Sequence, residues 1–123
     1  MYHIYVEQHF DAAHFLRGYK GKCEALHGHR FKVAVRVKSP VLDETGIVCD
    51  FAEIKEHLRN ILGGFDHTCL NDVPPFDEIN PSSENIAFTI YHELQPRLAG
   101  APFSISGVEV WESPQTGVTY NPD

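Results

Sequence analysis

The stretch CEALHGHRFKV, Cys23 to Val33, crowds a cysteine, an acid and two histidines ahead of an alternating apolar run. In an extended chain, residues two apart face the same side, so His27 and His29 would present both imidazoles together. His14 shares the parity of Ile4, Val6 and Phe10 in an earlier alternating segment. Three neutral imidazoles near neighbouring strand ends need partners, and a shared zinc ion is one economical set. Three histidines with an open fourth position describe a catalytic rather than a structural zinc site. The alternative is three core or loop histidines, each hydrogen-bonded locally. With 8 histidines in 123 residues, a lone H-x-H is a weak signal, and spacing alone leaves both readings open. Competing metal signatures are missing: the sequence has no H-E-x-x-H, no P-C-x-x-C and no glutamate soon after His29.

Cys23 lies four residues before His27, within reach of anything held by the histidines. A thiol beside a cation is acidified towards neutrality, which suits proton abstraction. Cys49 and Cys69 read as small buried hydrophobes. Asp66 and His67 follow a Gly63-Gly64 helix stop, where an acid can orient and charge an imidazole. Glu112 continues the parity of Val108 and Val110 and is expected at the buried end of a strand. There its carboxylate could accept the two parallel N–H groups of a 2-aminopyrimidinone edge. The basic segment Arg17–Lys22 is a candidate grip for a phosphorylated substrate.

The elements that must position these groups follow from periodicity. Residues 2–13 alternate as a half-buried strand, and residues 30–38 alternate more cleanly, with Phe31, Val33, Val35 and Val37 opposite Lys32, Ala34, Arg36 and Lys38. If the second strand reaches back through Gly28, His27 and His29 join its apolar side. A helix should begin at Asp50, with Glu53 completing a capping box and Phe51, Ile54, Leu58, Ile61 and Leu62 forming its stripe. A second should begin at Ser82 or Ser83 behind Pro81, carry Ile86, Ile90 and Leu94, and be limited by Pro96. A strand over Phe103–Glu112, a turn at SPQTG and a short strand ending near Tyr120 complete a ββααββ order. The expected fold is α+β, one domain over residues 1–123, with two helices on one face of an antiparallel sheet. Such a sheet has two raw edges and one bare face, so assembly through its edges is expected.

Composition narrows the partners. A net charge of −7 disfavours nucleic acid, whose phosphates demand a basic surface. No run approaches a membrane span, and MYHIYVEQHF lacks the basic start and apolar block of a signal peptide. Three scattered cysteines make a disulfide framework an unsuitable reading, and a cytoplasmic setting is expected.

The motifs FDAAH, CEALHGH, DFAEIK, DHTCLND, NPSSENIA and VWES, in that order along nearly the whole chain, resemble the 6-pyruvoyltetrahydropterin synthase/QueD family. The resemblance implies a tunnelling fold, in which three ββααββ subunits join strands into a barrel and two trimers stack as a homohexamer. It also implies Zn2+ on His14, His27 and His29, Cys23 as catalytic base, and Asp66 and His67 assisting proton transfer from a neighbouring subunit. Glu112 would anchor the pterin, and Ser82, Ser83 and Glu84 would close over the ring from another chain. The implied substrate is 7,8-dihydroneopterin triphosphate. The C-x3-HGH spacing resembles the queuosine branch, whose product is 6-carboxy-5,6,7,8-tetrahydropterin, with acetaldehyde and triphosphate released. Glu24 departs from that branch: a glutamate in this loop resembles members that make 6-hydroxymethyl-7,8-dihydropterin for folate. A pterin-binding or metal-binding oligomer without turnover is the non-enzyme alternative. Ser82 and Ser113 stand where threonine is frequent, and both keep the hydroxyl.

Overall fold

In the computed structural model, which describes residues 1–18 and 25–123, two long strands form the spine of a sheet. β1 (Tyr2–His14) and β2 (His27–Ser39) pair antiparallel without a register break, from Tyr2 opposite Ser39 to His14 opposite His27. Helix α1 (Phe51–Leu62), strand β3 (Thr68–Cys69), helix α2 (Ser83–Leu94), strand β4 (Ser104–Trp111) and strand β5 (Gly117–Tyr120) follow. The sheet order is β3-β1-β2-β4-β5, antiparallel except where β3 runs parallel to β1. The ββααββ expectation therefore holds with one addition. β3 is two residues long, too short for any period to reveal.

Alternation buries one face under the helices. Phe31, Val33, Val35 and Val37 are fully buried, and Phe31 stacks on Phe10 with ring centroids 4.8 Å apart. Ile54, Leu58, Ile86, Ile90 and Leu94 cover them from the two helices. The other face stays polar, with Lys32 meeting Glu7 at 4.0 Å and Arg36 meeting Glu109 at 3.6 Å. The β2–β4 register shifts once, where Ser106 of β4 is left over between the partners of Arg36 and Val37, far along the strand from the histidines. The parity placing His27 and His29 on the covered face is thus undisturbed.

Both helix starts fall where expected, with local differences. Asp50 Oδ1 accepts from Ala52 N at 2.9 Å, while Glu53 N bonds the Asp50 carbonyl at 3.1 Å. This is a cap on the second helical N–H, without the reciprocal Glu53 side-chain bond of a capping box. Phe51 is 51% exposed and does not join the buried stripe. As the first helical residue it borders a hollow with Tyr2, Ile4 and Ile47 at the start of β1 instead of lying over the core. Among the described residues, no helix is long and apolar enough to cross a membrane.

Candidate active site

The unbroken β1–β2 ladder brings three histidines to one sheet end. His14 lies opposite His27, and Ala12 opposite His29. One nitrogen from each of the three rings falls within 4.8 Å of the others. The tautomers follow from the outer bonds. His14 Nδ1 lies 2.7 Å from the Pro81 carbonyl, and His27 Nδ1 lies 2.7 Å from the Ala25 carbonyl. A carbonyl only accepts, so both Nδ1 atoms carry the proton and both Nε2 atoms keep a bare lone pair.

His14 is buried, and the Nε2 atoms of His14 and His29 are buried without a hydrogen-bond partner among the described residues. Burial holds the His14 pKa below the ordinary histidine value, with His27 and His29 adding, against the raising effects of the Pro81 bond and Glu112. Burial lowers His29 as well, opposed by Glu112 and reinforced by His27. Neutral imidazoles with converging, unpartnered nitrogens are what a divalent ion of the zinc class requires. The donor set fits such an ion.

Glu112 stands just past β4, beyond the fully buried Val108 and Val110. Its Oε2 lies 3.8 Å from His29 Nε2 and 3.5 Å from Ser83 Oγ, which donates to it. A cavity of about 180 Å3 adjoins this carboxylate, bordered by His14, Leu16, Ser82, Ser83, Glu84 and Glu112 and closed by Thr116, Gly117 and Val118. Ser82, Ser83 and Glu84 border the same cavity as Glu112 within one chain. Ser82 Oγ is engaged as the α2 cap, accepting from Asn85 N at 3.1 Å.

Asp66 and His67 form a separate group with Asp11. Asp66 Oδ1 accepts from Asp11 N at 2.8 Å, and its Oδ2 lies 2.9 Å from His67 Nδ1. The Asp11 amide, then the His67 bond, hold the Asp66 carboxyl below its ordinary pKa. His67 takes a left-handed backbone, φ 59°, and its N–H reaches the Asp11 carbonyl at 2.6 Å. A non-glycine residue held there is a local strain that the Asp11 contacts sustain. No contact among the described residues joins this exposed pair to the three-histidine set.

Cys23 and Glu24, the expected base and second acid, lie outside the described residues, as do Lys20 and Lys22 of the basic segment. Arg17 is described and exposed. Its guanidinium donates to the carbonyls of Phe76 at 2.9 Å, Asn71 at 3.2 Å and Ile79 at 3.4 Å. Cys49 and Cys69 are free and half-buried, and burial raises the Cys49 pKa, in keeping with an inert thiol.

Comparison with known proteins agrees with this geometry. Residues 3–123 match the family described as 6-pyruvoyl tetrahydropterin synthase. A Synechocystis sp. protein named 6-carboxy-5,6,7,8-tetrahydropterin synthase is 40% identical over 125 residues, covering 98% of this chain and 93% of that protein. The solved Caenorhabditis elegans 6-pyruvoyl tetrahydropterin synthase has a TM-score of 0.89 and 27% identity, covering 99% of this chain and 96% of that one. Plasmodium vivax 6-pyruvoyltetrahydropterin synthase, solved with a catalytic glutamate replaced by alanine, has a TM-score of 0.75 and 25% identity, covering 99% of this chain and 98% of that one. On the strength of the full-length match, the shared subunit fold and the histidine set, this chain belongs to the 6-pyruvoyl tetrahydropterin synthase family.

Proposed function

We propose that the chain is a cytoplasmic, zinc-dependent 6-carboxy-5,6,7,8-tetrahydropterin synthase. It converts 7,8-dihydroneopterin triphosphate to the carboxy product and releases acetaldehyde and triphosphate. The observation that carries this reading is the convergence of the unpartnered Nε2 atoms of His14 and His29 with His27, beside the Glu112 carboxylate. The name of the Synechocystis relative supports the same product. Zinc on these three nitrogens would supply Lewis acidity towards the substrate's side-chain hydroxyls.

The chain's own residues account for the remaining steps. The carbonyls of Pro81 and Ala25 fix the ligand tautomers of His14 and His27. Glu112 accepts the paired N–H groups of the pterin edge, and the Ser83 hydroxyl orients that carboxylate. Ser82 and Glu84 complete the wall above the ring. Cys23, four residues ahead of His27, takes a proton from the substrate side chain. Asp66 keeps the proton on His67 Nδ1, leaving Nε2 to receive and return a second proton. Because that pair stands apart from the imidazoles of its own chain, it serves the pocket of a neighbour in a homohexamer of two stacked trimers. The exposed edges of β3 and β5 support such an assembly.

A second reading is favoured by Glu24, which directly follows Cys23. The Plasmodium vivax relative uses a catalytic glutamate, and a glutamate base in this loop would direct the same substrate to 6-hydroxymethyl-7,8-dihydropterin. Incubation of the zinc-loaded protein with dihydroneopterin triphosphate, followed by mass analysis of the pterins, separates the readings. Carboxy product supports the primary reading. Hydroxymethyl product alone supports the second, and no consumption overturns both in favour of a binding protein.

A further inference from the structure

Past His14, β1 has no further strand neighbour among the described residues: its last partner in β2 is His27, and β3 ends at Cys69. Its next backbone groups are taken by side-chain amides. Asn71 Oδ1 accepts from Phe15 N and its Nδ2 donates to Phe15 O, both at 3.0 Å. Asn80 repeats the pattern on Arg17, accepting from its N and donating to its O, both at 2.9 Å. Two carboxamides thus imitate the paired bonds of a strand at alternate residues. Asn71 is buried, and the turn carrying it continues directly from β3.

Leu16 sits between the two clamped residues. Its side chain falls on the wall of the cavity that holds His14 and Glu112. Of the described wall residues, only Leu16 and Val118 present purely hydrocarbon side chains; the others are polar or charged, apart from Gly117. A planar ring gripped at one edge by a carboxylate still needs apolar contact on its face. Asn80 also governs the facing wall. Its carbonyl accepts from Asn85 Nδ2 at 2.9 Å, the adjoining Pro81 carbonyl holds His14, and the next residue, Ser82, caps α2.

We propose that Leu16 is a specificity-determining contact for the ring of the substrate, and that Asn71 and Asn80 are positioning residues acting through it. This rests on the pterin reading above. The test measures the Kd of zinc-loaded protein for pterin itself, an unreactive fluorescent probe, alongside KM and kcat. Leu16→Ala should weaken pterin roughly tenfold, the scale expected for losing a buried hydrocarbon contact. It should raise KM with a smaller effect on kcat, while Leu16→Met restores binding. Asn80→Ala should weaken pterin comparably with full zinc content. The double variant Leu16→Ala/Asn80→Ala should be no weaker than Asn80→Ala alone, since the amide acts through the leucine. If Asn80→Ala does not fold, Asn80→Asp, which keeps the acceptor for Arg17 N, takes its place in the cycle. Unchanged affinity in Leu16→Ala, or fully additive losses in the double variant, overturns the inference. Failure of the unsubstituted protein to bind pterin overturns the pterin reading instead.

Discussion

Zinc should stabilise this fold, because the three imidazoles converge only in the folded chain. His14 Nε2 and His29 Nε2 are buried without partners among the described residues, and burial lowers both pKa values, which favours the neutral rings. An ion would give both nitrogens a partner. Binding to the folded state alone, at a free concentration of 100 times Kd, adds about 2.7 kcal/mol of stability. For a chain of this length each kcal/mol moves Tm by roughly 3–6 °C, so the expected rise is about 8–16 °C. The assay compares thermal melts of chelator-stripped protein, at one protomer concentration, with and without excess zinc. His27→Ala should abolish the rise while leaving the metal-free melt nearly in place. An unchanged Tm on adding zinc, or an equal rise in His27→Ala, would refute the argument that these imidazoles form one ligand set.

Asn71→Ala removes two hydrogen bonds to Phe15 at a buried site; it should cost about 2–4 kcal/mol in urea unfolding, and a loss under half a kcal/mol would contradict the clamp. Gly117→Ala would drive a Cβ into the Trp111 ring, so it should cost about 1–3 kcal/mol and shift the emission of the chain's 1 tryptophan. The Asp66 carboxyl should titrate below the ordinary aspartate range in an NMR pH series, because the Asp11 amide and His67 favour its charged form. Its stabilising contribution is then complete above the unfolded-state pKa and is lost as pH falls through the lower folded value; an unshifted midpoint would contradict the geometry. Cys23→Ala should retain zinc and lose carboxy product, and unchanged product ratios in Glu24→Ala would make that glutamate incidental.

Much of the site was legible because strand parity is a strict code. Once β1 and β2 pair in unbroken register, the side of the sheet on which His14, His27 and His29 fall follows from counting by twos. Glu112 was reached by the same count along β4. Helix starts were legible from Asp50 and Ser82, whose side chains do cap. What escaped notice depends on contacts without a local period. The asparagine clamp joins Phe15 to Asn71 and Arg17 to Asn80 across separations of 56 and 63 residues. The three carbonyls that Arg17 meets, of Asn71, Phe76 and Ile79, lie more than 50 residues away and leave no local trace in the sequence. Phe51 had the correct helical angle but lay one turn too early to reach the core.

The cross-strand facing of His14 and His27 makes the ladder behave as a ruler read in steps of two. Deleting or adding a single residue within either strand would turn part of the imidazole trio towards the opposite, water-filled side. Changes of length are better tolerated in the exposed connection from Pro40 to Ile47, which borders no part of the cavity beside Glu112. Any attempt to graft a binding tag or a new loop onto this subunit should begin there.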